Sequence, residues 1–200
     1  MHDRRVAPDV RGLEADAYAQ GGYFDMSQAH AHGVSRQLLD HYVRQGRFER
    51  VRRGLYHLHG FPSAENDQMR EKWMAVGTDK AVLSNQSALA LLELSDVIPG
   101  AVHLLVPRRH RGLRRPHGVI IHTRPDDETP AIVWRDGLPL TAPAQTLIDV
   151  AGELQPEQLV LAVEQALRQG LVTPRQLRSE AARRHRTADL EQALHRTQRK

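Results

Sequence analysis

Apolar residues recur at helical spacing in short stretches near the N terminus, and glycines separate these stretches. Leu13, Ala17 and Tyr18 mark a first helix that ends at a Gln-Gly-Gly sequence. Asp25 stands where an N-cap is needed for a short second helix, which would end before Gly33. The pattern therefore predicts two short helices in the first 33 residues.

A third helix and a hairpin follow this glycine. Ser35 is predicted to cap a helix over residues 36–45, whose buried stripe would consist of Leu38, Leu39, Tyr42 and Val43. Two short alternating runs, 48–51 and 55–58, flank an Arg-Arg-Gly turn and predict a β-hairpin. Three helices followed by a hairpin are the element order of a winged helix-turn-helix.

The rest of the chain has a mixed pattern of helical and strand periods. Helices are predicted over 64–76, 85–94, 142–151, 157–169, 174–184 and 188–198. Strands are predicted over 81–83, 102–106, 119–122, 132–135 and 138–141. Asp136 and Gly137 form a strong hairpin-turn signal, and Thr141 is predicted to cap the helix that carries Pro143 in its first turn.

These elements predict an α+β protein of two domains. The first is a winged helix-turn-helix over residues 11–60, and residues 60–63 (Gly-Phe-Pro-Ser) are the best candidate for a linker. The second, over residues 64–200, is a mixed α/β domain with a small sheet and several helices. Cysteine is absent, and no apolar run approaches the ~20 residues needed to cross a bilayer. No signal peptide is apparent at the start, so we expect a soluble, cytoplasmic protein.

Positive charge is concentrated in the predicted helix-turn-helix. Residues 34–60 contain six arginines against two acidic residues, and this excess equals the formal net charge of +4 of the whole chain. The outward face of the third helix and the hairpin are suited to base edges and phosphates of duplex DNA. The predicted DNA-binding residues are Ser35, Arg36, Gln37, Asp40, His41, Arg44, Arg47, Arg50, Arg52 and Arg53. The alternative is a solvated, arginine-rich hairpin on an ordinary helical domain.

Five sequence blocks resemble AbiEi-type antitoxins of type IV toxin–antitoxin (abortive infection) systems. The most specific block, RQGRFERVRRGLY at residues 44–56, resembles the wing of that family. The other blocks are 22–36, which resembles its helix-turn-helix entry, and 82–95, 102–107 and 137–149, which resemble its C-terminal domain. The resemblance spans roughly residues 18–170.

The resemblance implies a transcriptional repressor that binds inverted repeats in its own promoter through the winged domain. It also implies that the C-terminal domain counteracts a nucleotidyltransferase-like toxin without forming a stable complex with it. Solitary relatives with the same domains exist, so the alternative is a winged-helix regulator that has no cognate toxin.

Enzyme motifs are incomplete in this chain. The segment 125–128 (Pro-Asp-Asp-Glu) resembles half of a metal-dependent nuclease motif, but the required lysine partner is missing, because Lys200 is the only later lysine. We expect 125–128 to be a solvated loop. Neither Ser84 nor Ser87 stands in a nucleophile elbow; Ser84 is better placed as a helix N-cap, and Asp149 as a structural acid that hydrogen-bonds within the fold. We therefore expect a protein that is not an enzyme.

Histidines form two i, i+2 pairs, His30 with His32 and His57 with His59. Neither pair is accompanied by a third or fourth ligand at metal-binding spacing. We therefore expect no metal site and no cofactor, and we expect His57 and His59 to lie on the surface of an edge strand.

A second basic segment lies between two predicted strands and contains five arginines with no acidic residue: Arg108, Arg109, Arg111, Arg114 and Arg115. It is expected to form an exposed loop or hairpin tip. Two interpretations remain open, a solvated loop and a second contact to nucleic acid phosphates.

Overall fold

The computed structural model of the protein describes residues 7–184 and 187–197. The chain forms two compact units, the first ending at Ala75 and the second beginning at Val76. Both units combine helices with a sheet, which confirms the predicted α+β class. No helix among the described residues has both the length and the apolar character needed to cross a membrane.

The first unit has the element order of a winged helix-turn-helix with one additional strand and one additional helix. Its elements are α1 (Val10–Ala19), β1 (Tyr23–Asp25), α2 (Met26–Ala31), α3 (Arg36–Arg44), β2 (Phe48–Arg52), β3 (Leu55–Leu58) and α4 (Asp67–Val76). The three strands form an antiparallel sheet in the order β1-β3-β2.

Side-chain caps fix the starts of α2 and α3, as predicted. Asp25 accepts hydrogen bonds from the backbone of Ser27 and Gln28, and the Gln28 side chain accepts one from the Asp25 backbone in return. The Ser35 hydroxyl accepts from the Leu38 backbone at 3.3 Å. Local sequence therefore determines where both helices begin.

Strand β1 was not predicted, and its presence corrects the expected position of His57. Because β1 pairs with β3, His57 lies in the central strand, opposite Tyr23, and not on an edge strand. Its ring is half-buried, with its centroid 4.3 Å from that of Tyr23. His59, beyond the end of β3, is exposed as expected.

The hairpin formed by β2 and β3 contains a bulge. Arg50 lies opposite Tyr56 and Arg52 opposite Leu55, so Val51 is one extra residue on β2. The turn closes at Gly54, whose φ of 81° is one that residues with a Cβ rarely adopt.

The core of the first unit lies between α1, α2, α3 and the sheet. Its buried residues are Leu13, Ala17, Phe24, Ala29, Val34, Leu39, Phe48, Tyr56 and Leu58. The other members of the predicted α3 stripe, Leu38, Tyr42 and Val43, are partly buried against this cluster. One face of α3 is therefore committed to packing and the other is free for contact.

Helix α4 lies almost entirely within the first unit, whereas the sequence placed it after the linker in the second domain. Arg52 donates a hydrogen bond to the backbone carbonyl of Glu71 at 3.2 Å. Arg70 is buried, and its side chain lies against Gly21, where an added Cβ would come within 2.6 Å of the Arg70 Nε atom. These contacts join α4 to the hairpin and to the end of α1, partners that its own sequence does not indicate.

The second unit is built on a five-stranded mixed sheet in the order β6-β5-β4-β8-β7. The strands are β4 (Val82–Leu83), β5 (Val102–Pro107), β6 (Val119–Arg124), β7 (Ile132–Arg135) and β8 (Leu138–Thr141). The helices are α5 (Asn85–Leu91), α6 (Pro143–Val150), α7 (Pro156–Arg168), α8 (Pro174–Arg183) and α9 (Thr187–Thr197). All five strands and the five corresponding helices were predicted at these places, with boundary differences of a few residues.

In the second unit, the predicted hairpin turn is confirmed, but the predicted helix cap is wrong. Asp136 and Gly137 have φ values of 50° and 70° and connect β7 to β8 as the predicted hairpin. Thr141, however, does not cap α6, whose N-cap is Ala142. The buried Thr141 hydroxyl instead pairs with the Thr146 hydroxyl at 2.8 Å.

The basic segment 108–115 connects two parallel strands. Because β5 and β6 pair in parallel, the segment is part of a crossover and not the hairpin tip that the sequence suggested. It begins with one 3₁₀ turn, Arg108–His110.

A pH-dependent contact joins α1 to the end of α2. His32 Nε2 lies 2.7 Å from Asp16, and this hydrogen bond raises the pKa of His32 above its ordinary value of 6.5. The ion pair thus contributes fully to the free energy of unfolding below that value, and the contribution disappears as the pH rises through the folded-state pKa. The melting temperature of the wild type should therefore decline between about pH 6 and about pH 9, whereas that of the His32→Gln variant should not. Equal declines in the two proteins would contradict this prediction.

Candidate nucleic-acid interface

The face of α3 that points away from the core is polar. Arg36, Gln37, His41 and Arg44 are exposed, and so is the cap Ser35, while Leu39 on the opposite side is fully buried. Asp40 is partly buried. The helix therefore presents hydrogen-bonding side chains of the types that read base edges in a major groove.

The start of α3 and the hairpin meet at a shared basic surface, which we define by His30, Arg36, Arg50 and Arg53. These four residues line one open pocket of about 300 Å³ together with Met26 and Gly54. The Met26 backbone N–H donates to the Gly54 carbonyl at 3.0 Å, which holds the hairpin turn against the start of α2. Three arginines, one from α3 and two from the hairpin, thus lie around one pocket.

Neighbouring side chains orient Arg50 within this surface. One guanidinium nitrogen lies 4.0 Å from Asp40 on α3, and another donates to the Tyr56 hydroxyl at 3.4 Å. The guanidinium also lies over the Tyr56 ring, 5.7 Å from its centroid. Arg50 is partly exposed and preorganised, as a phosphate or base contact requires.

Two further predicted DNA-binding arginines also have partners within the protein. Arg47 makes two hydrogen bonds to Glu14 of α1, at 2.7 and 2.9 Å, and this pairing raises the pKa of Arg47. Arg52 is half-buried and donates to the Glu71 carbonyl; burial lowers the pKa of Arg52. Both side chains therefore tie the hairpin to neighbouring helices.

The arginines of the basic crossover segment 108–115 are all exposed: Arg108, Arg109, Arg111, Arg114 and Arg115. The backbone and the guanidinium of Arg109 donate to Asp126 at 3.0 and 3.5 Å. The other four arginines make no ion pair within residues 7–184 and 187–197. The segment thus carries four uncompensated cations on a short connection.

A polar pocket of about 280 Å³ lies in the second unit. Its polar lining consists of Asn85, His122, Thr123, Arg124, Glu128, Asp149, Glu153 and Arg184. Arg184 pairs with Glu128 at 2.6 Å, with Asp149 at 3.2 Å and with Glu180 at 2.7 Å. A solvated loop was expected over residues 125–128. This expectation is wrong for Glu128, which is partly buried in its ion pair with Arg184.

Asp149 is the structural acid that the sequence predicted. Besides Arg184 it accepts a hydrogen bond from Gln145 at 3.3 Å. Burial is the main influence on this carboxyl and raises the pKa of Asp149 to about 6, although Arg184 acts in the opposite direction. Ser84, by contrast, occupies the predicted N-cap position of α5, but its hydroxyl makes no capping hydrogen bond.

Among the residues that the structure describes, neither histidine pair noted in the sequence forms a group of three potential metal ligands. His32 bonds to Asp16, and the His57 ring contacts the Gly21 carbonyl at 3.3 Å. A different pair, which sequence reasoning missed, lies on adjacent strands of the second unit: His103 Nδ1 is 3.0 Å from His122 Nε2. Strand alternation within β5 and β6 is the signal that could have indicated a shared face for these two residues.

Models of the same protein family match both halves of the chain. Residues 17–59 match the family described as "Transcriptional regulator, AbiEi antitoxin", and residues 80–195 match the AbiEi antitoxin C-terminal domain. The comparison with curated proteins gives no match.

A solved structure shares the fold. The crystal structure of the Rv2827c protein from Mycobacterium tuberculosis superimposes with a TM-score of 0.50 at 17% sequence identity, over 90% of this chain and 72% of that one. Since the C-terminal domain match alone spans more than half of the chain, and the regulator match covers the helix-turn-helix and the wing, this protein belongs to the AbiEi antitoxin family.

Proposed function

We propose that this protein is a DNA-binding autorepressor and the antitoxin of a type IV toxin–antitoxin system, acting against a nucleotidyltransferase-like toxin. The observation that carries the DNA-binding part is the shared basic surface, where Arg36 of α3 meets Arg50 and Arg53 of the wing around one pocket. The protein acts as a regulator and not as an enzyme.

The two elements have different tasks in this proposal. Arg36, Gln37, His41 and Arg44 project from the exposed face of α3 and read base edges, with Ser35 and Asp40 beside them. Arg50 and Arg53 bind backbone phosphates, which fix the register of the helix in the groove. Arg47 and Arg52 support the hairpin through Glu14 and Glu71 and do not contact the DNA.

A footprint on the protein's own promoter at two salt concentrations tests autorepression. An inverted repeat occupied by two copies of the chain is expected, with affinity that falls steeply with salt because condensed counterions are released. Protection no stronger than on unrelated DNA would overturn the proposal.

Antitoxin function requires a separate test, since the winged domain alone also suits a solitary regulator. The nucleotidyltransferase-like gene beside this one, if present, should arrest growth when expressed alone, and co-expression of this protein should restore growth. A pull-down from the same cells should recover no stable complex. Operator binding without any rescue would identify the solitary regulator instead.

The basic crossover segment is proposed as a second site that binds DNA phosphates. Replacing Arg114 and Arg115 together by glutamine should lower the slope of log affinity against log salt by about 1.8 per bound copy, because each neutralised phosphate contributes about 0.9 to that slope. Sequence preference should not change, since no base edge is involved. A double variant with wild-type affinity and slope would show that the segment is a solvated loop.

A further inference from the structure

Two histidines and a glutamate converge at one side of the polar pocket. His103 lies on β5, His122 on β6 and Glu153 in the turn after α6. One potential ligand atom from each lies within 4.8 Å of the other two, and the two imidazole nitrogens are 3.0 Å apart. Nothing in the proposed repressor function uses these residues.

The fold holds this group in place from several directions. His103 lies opposite Ile120 and His122 opposite Leu105 in the parallel β5–β6 ladder, so both rings project from the same sheet face two positions apart. The His103 backbone is fixed by a hydrogen bond to the buried Ser87 hydroxyl at 2.9 Å.

The carboxylate has its own support. Asn85 donates its side-chain amide to Glu153 at 2.6 Å, and Asn85 has a φ of 46°, in the left-handed region that few residues with a Cβ adopt. Asn85 is 4% exposed, so an amide at the first position of α5 is held inward to orient an otherwise exposed carboxylate.

We propose that His103, His122 and Glu153 form a binding site for a divalent transition-metal ion of the zinc class. Imidazole nitrogens and one carboxylate oxygen are ligands that zinc prefers, and bond lengths of about 2.0–2.1 Å require ligand atoms roughly 3.3 Å apart in a tetrahedron. The imidazole pair is close to that separation already. The Glu153 carboxylate oxygen already lies within 4.8 Å of both imidazole nitrogens, and a small shift of this exposed side chain closes the remaining distance while the Asn85 hydrogen bond is kept.

Three protein ligands leave one coordination position open. Since His122 and Glu153 both line the polar pocket, that position faces a space of about 280 Å³, which is large enough for a water molecule or a small anion. The site links β5, β6 and the segment after α6, so the metal is expected to stabilise the second unit.

Metal binding by the full-length, untagged protein, after removal of metals with a chelator, tests this proposal. Calorimetric titration with Zn²⁺ and the visible absorption of bound Co²⁺ should both report one site per chain, and Zn²⁺ should raise the melting temperature. His122→Asn should weaken binding by at least about 100-fold and Glu153→Gln by about 10-fold or more. His103 is buried, so replacing it would disturb folding as well as metal binding, and the two more exposed ligands give the cleaner comparison.

Matched controls are available in the same unit. His117→Asn and Glu157→Gln replace exposed residues of the same types outside the cluster and should bind like the wild type. Circular dichroism should show that each variant is folded. If His122→Asn and Glu153→Gln bind Zn²⁺ as the wild type does, or if the wild type binds none, the two imidazoles are only a hydrogen-bonded pair and the proposal fails.

Discussion

Replacing Arg36, Arg50 and Arg53 together by glutamine is expected to abolish specific operator binding. Each arginine bound to a base edge or phosphate contributes about 1–3 kcal/mol, so the affinity should fall at least about 100-fold for each bound copy. The three side chains line one surface that joins α3 to the wing, so the triple substitution removes both the reading and the positioning interactions. Fluorescence anisotropy with labelled operator, measured over a series of salt concentrations, gives the affinity and the slope.

Arg47→Gln is the control for this variant, since it removes an arginine of the same hairpin that is already paired with Glu14. It should leave the salt slope unchanged and slightly reduce the stability of the fold. The contrary outcome is that Arg47→Gln reduces the salt slope as much as each arginine of the triple variant does. That result would show that affinity depends on total charge and not on the shared basic surface.

The Arg184→Met variant should be less stable in the second unit by about 3 kcal/mol, the lower end of the range for removing one partner of a buried ion pair. Arg184 is 21% exposed and neutralises Glu128, Asp149 and Glu180. Without it, three carboxyls face one another in a partly dehydrated site, and the pKa of Asp149 should rise further above its value of about 6. Chemical denaturation, with hydrogen exchange to follow each unit separately, measures the destabilisation.

The adjacent arginine supplies the control for this experiment. Arg183 also pairs with Glu180, at 2.6 Å, but its side chain is 63% exposed. Arg183→Met should therefore cost about 0.5 kcal/mol or less, as exposed ion pairs do. Equal destabilisation in the two variants would mean that the carboxyls around Arg184 are hydrated and need no counter-charge.

Much of the fold could be predicted because its elements have clear local signals. Apolar periodicity located α3 and all five strands of the second sheet, and the caps Asp25 and Ser35 marked the starts of α2 and α3. Strand β1 was missed because three residues are too few to display a period. Thr141 is of a residue type that often caps helices, but a buried neighbour, Thr146, competes for its hydroxyl.

The functional surface was predictable only in part, because arginines look alike in a sequence. Arg47 and Arg50 differ in their partners, and the partner of Arg47, Glu14, lies 33 positions away. Likewise Arg52 depends on Glu71, in a helix that the sequence assigned to the other domain. Tertiary contacts of this kind distinguish a supporting arginine from one that is available to a ligand.

The histidine cluster illustrates the same limit for metal chemistry. His103 and His122 are 19 positions apart and Glu153 is a further 31 along the chain, so no short motif contains them. Two parallel strands and one helix end bring them together, and that arrangement follows from the order of strands in the sheet.

The extra residue at Val51 determines what changes in length the hairpin tolerates. In a regular strand, residues 50 and 52 would point the same way; here Arg50 turns towards Asp40 while Arg52 reaches Glu71. One residue inserted into β3 between Leu55 and Tyr56 would give Val51 a partner and remove the bulge, and Arg50 and Arg52 would then point to the same face. Single-residue insertions, which surface loops normally tolerate, should therefore be selected against at this position of the hairpin.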